Sequence, residues 1–103
     1  MTESEFNDLV DETLDHIEAC VDDAGGDIDC DFSGGILTLQ FTNGSAMIFS
    51  RQTAVRELWL AAKSGGFHFA YDGAQWRCSK SGETLAQAVA TCSADQGEGI
   101  TLE

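Results

Sequence analysis

Residues 21–41, VDDAGGDIDCDFSGGILTLQF, contain a change of hydrophobic period. Before Gly25 the apolar residues recur at steps of three and four, the repeat of a helix; after Gly26 they recur at every second position, the repeat of a strand. The glycine pair Gly25-Gly26 between the two patterns is placed to stop a helix. The chain therefore passes here from an amphipathic helix to a half-buried strand. Five of the eleven residues from Val21 to Asp31 are aspartates, and no lysine or arginine occurs from Met1 to Ser50.

Upstream, Phe6, Leu9, Val10, Leu14, Ile17, Cys20 and Val21 predict a helix over residues 4–24. At about 100° per residue, Asp8, Asp11, Glu12, Asp15, Glu18, Asp22 and Asp23 fall on the opposite arc. Downstream, DIDCDF alternates, so that Ile28, Cys30 and Phe32 are expected on the core side and Asp27, Asp29 and Asp31 outside. The outer face of the strand thus continues the carboxylate row of the helix.

Gly34-Gly35 then turns the chain into ILTLQF, and Asn43-Gly44 is a type I′ hairpin signal before SAMIFS. Further strands are expected at LWLAA, FHFAY and AQWRCS, separated by turns at Gly65-Gly66 and Asp72-Gly73. A last helix starts near Ser81–Thr84 and runs to about Ala94, with Thr84 and Gln87 spaced as a capping box. Helix, about six antiparallel strands and helix make an α+β two-layer sandwich, both helices burying a stripe against one face of the sheet.

The chain has 103 residues, 43% of them apolar, enough for one domain with a modest core. No apolar run approaches the roughly 18 residues of a membrane span, and nothing resembles a signal peptide, so a cytoplasmic protein with no membrane association is expected. A net charge of -13 argues against nucleic acid, whose phosphates require a basic surface, and points to a positive partner. Cys20, Cys30, Cys78 and Cys92 form no closely spaced pairs and are expected as reduced thiols.

Familiar motifs fail on inspection. Asp27, Asp29 and Asp31 start like an EF-hand, but Phe32 and Thr38 stand where glycine and glutamate are required. His16-Ile17-Glu18 imitates a zinc-deaminase start with no P-C-x-x-C to follow. No phosphate loop or nucleophile elbow is present, and the expectation is that the protein is not an enzyme.

Three stretches, SEFNDLVDETLDHIEACVDD (4–23), DIDCDFSGGILTLQFTNGS (27–45) and FSRQTAVRELWLAAKSGGFHFAYDGAQWRCSKSGETL (49–85), together resemble bacterial members of the frataxin family over nearly the whole chain. The acidic first helix and strand, the G-G-x-L-T hairpin, the spacing from R-Q-T to W-L and the late S-G-E-T occur in the order of that family. The resemblance implies a single frataxin-like domain over residues 1–103, acting in iron-sulfur cluster biogenesis. It implies weak iron binding on carboxylates, docking on a cysteine desulfurase whose output is modulated, and a monomer when no metal is present. Carried over to this chain, the matching acids are Asp11, Glu18, Asp22, Asp23, Asp29 and Asp31. Gln52 and Trp59 match positions on the sheet surface.

Asp15 and Asp27 lie in the same acidic rows and complete the candidate metal set. The candidate partner-binding set is Glu18, Asp22, Asp23, Gln52 and Trp59. Twelve of the eighteen acids lie between Glu3 and Asp31 with no base among them, whereas a merely solvated helix face usually mixes both signs. Such self-repulsion is relieved by a cation or a basic partner. Carboxylates suit hard cations, Fe²⁺ and Fe³⁺ along with other divalent ions, and an open row without a cage binds them weakly. Two other readings stand beside this one: iron oxidation or storage on the carboxylates, as ascribed to some relatives, and a metal-independent acidic module for a basic protein. Trp59, between Leu58 and Leu60, is expected on the outer face of the sheet, and Trp76 in the core.

Overall fold

The computed structural model describes residues 1–24 and 26–102. Helix α1 spans Glu3–Ala24 and helix α2 spans Leu85–Asp95. Between them lie β1 (Asp29–Ser33), β2 (Ile36–Gln40), β3 (Ala46–Gln52), a 3-10 turn (Thr53–Val55), β4 (Glu57–Ala62), β5 (Gly65–Tyr71) and β6 (Trp76–Cys78). The six strands form one antiparallel sheet in sequence order, as expected of a chain whose strands are joined by short turns. One core unites the inward residues of both helices and of β2 to β6, which establishes the two-layer α+β sandwich.

Helix α1 buries Phe6, Val10, Leu14, Ile17 and Val21. Full burial of such side chains is worth roughly 1.5–3 kcal/mol each, whereas like-charge pairs four apart on the outer face, such as Asp8/Glu12 and Glu18/Asp22, cost about 0.2–0.5 kcal/mol each. Core burial thus holds the helix against the repulsion of its own surface. Thr2 and Glu5 cap its start reciprocally: the Glu5 N–H donates to Thr2 Oγ1 at 3.1 Å and the Thr2 N–H to Glu5 Oε1 at 2.9 Å. Helix α2 starts on the expected box, with the Gln87 N–H donating to Thr84 Oγ1 and the Thr84 N–H to Gln87 Oε1. Helix α1 ends at Ala24, one residue before the expected glycine stop; Gly25 itself lies outside the described residues.

Three sequence expectations require correction. Phe32 was expected in the core, yet it is 46% exposed. It belongs to the edge strand β1, and the core reaches only as far as Ile28 and Cys30 on that edge. The turn at Asn43-Gly44 is not type I′, because only Gly44 has a positive φ (89°). Gly44 N–H donates to Phe41 O and Phe41 N–H to Ser45 O, a three-residue loop in which Asn43 Oδ1 accepts from the Ser45 N–H and hydroxyl. The Gly65-Gly66 pair is not the turn between β4 and β5. Ala62 pairs with Gly65 across Lys63-Ser64, and the glycines open β5.

Candidate functional site

The expected acidic face is present. Asp8, Asp11, Glu12, Asp15, Asp22 and Asp23 are exposed on α1, Glu18 is half-buried, and Asp27, Asp29 and Asp31 are exposed before and along β1. The helix and strand rows meet. Cys30, on the inward side of β1, has its thiol pushed up first by burial and then by the negative charges of Glu18, Asp22 and Asp29. Glu18 and Asp22 from α1 and Asp29 from β1 therefore converge on the same edge of the molecule. At the junction, the Asp27 N–H donates to Glu98 Oε1 at 3.3 Å, which ties the start of the strand to the segment after α2.

Asp11 stands apart from this convergence. Its Oδ1 accepts a hydrogen bond from Arg51 Nη2 at 2.5 Å, so this acid already has a cationic partner. Among the described residues, no three His, Cys, Asp or Glu side chains come together closely enough to enclose an ion. The geometry is an open row of hard oxygen donors, suited to weak and exchangeable cation binding or to docking against positive charge.

A second surface lies on the side of the sheet away from the helices. Register aligns Ser33, Ile36, Ser50, Trp59 and His68 in one cross-strand row, and Asp31, Thr38, Ile48, Ala61 and Gly66 in the next. In those two rows no Asp, Glu, Lys or Arg interrupts β2 through β5, an unusual gap in a chain of net charge -13. Asp31 at the end of its row joins the acidic edge to this face. Trp59 is half-buried, as expected for an outward residue between the buried Leu58 and Leu60. Its ring stacks on His68 at a centroid distance of 4.1 Å with planes 10° apart, and its Nε1–H donates to Glu57 Oε1 at 2.9 Å. These contacts hold a large amphipathic ring flat and oriented, as an interface anchor requires.

Gln52 ends β3 opposite Glu57, where the 3-10 turn begins. The turn closes on Arg56 in the left-handed region (φ 54°), with its guanidinium bonded to Thr53 O. Sequence reasoning assigned no role to His68; its alternation within FHFAY was legible, but its seat on Trp59 follows from the β4–β5 register alone. Trp76 is buried as expected, and its indole N–H donates to Thr13 Oγ1 at 2.9 Å. All four cysteines are free thiols.

An acidic helix and edge strand, beside a sheet face with two rows free of Asp, Glu, Lys and Arg across β2 to β5 and bearing a half-buried, outward-facing tryptophan, is the arrangement expected of a frataxin-like domain. A family model for that domain matches residues 1–98, and the chain belongs to the frataxin family. It is 48% identical over 105 residues to the iron-sulfur cluster assembly protein CyaY of Stutzerimonas stutzeri, covering 100% of this chain and 94% of that one. The CyaY protein of Vibrio cholerae is 52% identical over 85 residues, covering 82% of each. In structure the chain resembles frataxin from Psychromonas ingrahamii, with a TM-score of 0.91 at 31% identity over 98% of this chain and 96% of that one. No helix among the described residues is long and apolar enough to cross a membrane.

Proposed function

We propose that this protein serves iron-sulfur cluster assembly in the cytoplasm as a non-enzymatic accessory protein, binding iron weakly and docking on a cysteine desulfurase whose output it regulates. The observation that carries this reading is the junction of two unlike surfaces: carboxylates from Glu18 to Asp31 along α1 and β1, and the two weakly polar cross-strand rows of the outer sheet face, one of which ends at Asp31. The first attracts a basic partner over a distance set by ionic strength, and the second offers Trp59 as an anchor once contact is made. The CyaY relatives are named for iron-sulfur cluster assembly, which supports a partner drawn from that machinery. Iron enters as cargo on the carboxylate row. The open row, in which no three donors among the described residues come close enough to enclose an ion, favours loose presentation over oxidation at a fixed two-metal centre.

The test is titration calorimetry against a purified bacterial cysteine desulfurase at low and high salt. Wild-type protein is expected to bind at low salt and less tightly at high salt. Changing Glu18, Asp22 and Asp23 together to lysine is expected to abolish binding while the far-ultraviolet circular dichroism stays native. Unchanged affinity in that variant would refute docking through the ridge.

A further inference from the structure

His16 and Cys20 stand four residues apart on α1, one turn above another on the same face. His16 Nε2 and Cys20 Sγ are 3.7 Å apart in a thiol–imidazole hydrogen bond. His16 is exposed and Cys20 half-buried, so both are reachable from solvent. They line an open depression of about 440 Å³ whose remaining walls are Asp23, Ala24, Gly99 and Thr101.

The separation of the two donor atoms matches a specific coordination geometry. With a metal–imidazole bond of about 2.05 Å and a metal–thiolate bond of about 2.3 Å, a tetrahedral angle places the donors about 3.6 Å apart, while a right angle at the same lengths places them about 3.1 Å apart. The observed 3.7 Å is close to the tetrahedral separation and well above the right-angle one. The separation of the two donors therefore lets a single ion bridge them in place of the hydrogen bond.

We propose that His16 and Cys20 form a cation site separate from the carboxylate row, selective for tetrahedral, sulfur-accepting divalent ions of the zinc and cobalt class. Donor chemistry separates the two sites: thiolate and imidazole favour borderline and soft ions, whereas the carboxylates favour magnesium, manganese and other hard ones. Binding uses the neutral imidazole nitrogen and the sulfur lone pair. The thiol proton passes to bulk water as the metal–sulfur bond forms, one proton per ion, with no change of oxidation state. No third protein donor closes the shell among the described residues, so water fills the two remaining positions. Asp15 and Asp23 on the same helix raise the local concentration of cations around the pair.

The experiment is anaerobic titration of the full chain with Co²⁺, followed by the thiolate-to-cobalt charge-transfer band and the visible bands of tetrahedral cobalt. The expected result is a band saturating at one equivalent, retained in Cys30→Ser and in excess Mg²⁺, lost in Cys20→Ser, and lost or displaced to far higher cobalt in His16→Ala. Circular dichroism checks that each variant is folded. As an independent readout, Zn²⁺ is expected to slow alkylation of Cys20 in the wild-type protein, read by peptide mass. Absence of the band, its survival in Cys20→Ser, its disappearance in excess Mg²⁺, or a titration unchanged by His16→Ala would each overturn the proposal. None of these outcomes depends on whether a desulfurase binds.

Discussion

Arg51 Nη2 donates to Asp11 Oδ1 across forty positions of sequence, while Arg51 Nη1 donates to Asn7 Oδ1 at 3.2 Å. Strand β3 thus supplies a guanidinium to a helix that has no lysine or arginine of its own. Among the described residues this is the one ion pair on the acidic face, the other ion pair joining Arg77 to Asp72. The pair divides the face into a neutralised start near Asp11 and an uncompensated end from Glu18 to Asp31.

The two partners are unequal, because the Arg51 side chain is 21% exposed and that of Asp11 58%. Arg51→Ala is expected to cost about 1.5 kcal/mol in urea unfolding, since it removes two charge-assisted bonds and a packed aliphatic stem. Asp11→Asn is expected to cost less than about 1 kcal/mol, the ordinary range for a solvent-screened pair. Equal losses would show that the guanidinium stem contributes nothing by packing.

At the uncompensated end, Asp22→Asn with Asp23→Asn is expected to raise the melting temperature in low salt, because repulsion between neighbouring carboxylates falls. Millimolar Fe²⁺ or Mn²⁺ is expected to raise the wild-type melting temperature more than monovalent salt of equal ionic strength, and the excess to shrink in that double variant. A weak site at about ten times its Kd adds about 1.4 kcal/mol, several degrees for a domain of this size. Identical shifts with both salts would reduce the metal effect to screening.

The two tryptophans are expected to separate stability from binding. Trp76 packs edge-on against Phe6 and Tyr71, with centroids at 6.0 Å and 5.4 Å, and Trp76→Ala should cost about 3–5 kcal/mol. Trp59→Ala gives up its stack on His68, worth about 0.5–1.5 kcal/mol, and is expected to weaken desulfurase binding out of proportion to that loss. Equal stability losses at the two positions would place Trp59 in the core and remove its role as an anchor.

Asp72 governs the turn before β6. Its carboxyl is held down to about 2, from an ordinary 3.8, first by N–H donation from Gln75, then by that from Ala74, and then by Arg77. A depressed carboxylate stabilises the fold above its ordinary value, so this contribution is present above about pH 4 and is lost as pH falls toward 2. An NMR titration of the native protein should place the Asp72 midpoint near 2. In Arg77→Ala the midpoint is expected to rise but to stay below the ordinary 3.8, because the backbone donors remain. A midpoint at the ordinary value in the native protein would contradict the turn geometry.

Much of the fold was legible because each element carries its own period. The stripe from Phe6 to Val21, the Leu37, Leu39 and Phe41 alternation, and the Thr84 to Gln87 box all rest on interactions within a few residues, so they can be read locally. The misplaced features depend on neighbours. Phe32 follows the same alternation as Cys30, but its burial depends on how far the core extends over an edge strand. Lys63-Ser64 became a turn because the pairing of β4 with β5 positioned it, although the adjacent glycines carried the stronger local signal.

The candidate site divides in the same way. That α1 and β1 each present a row of carboxylates follows from composition and period, and sequence alone determined it. Tertiary structure decided that Glu18 and Asp22 meet Asp29 around Cys30, that Arg51 reaches back to neutralise Asp11, and that His68 lies under Trp59. Those relationships are set by strand register and by the packing of a helix on a sheet, which join residues seven to forty positions apart with no trace in the local pattern.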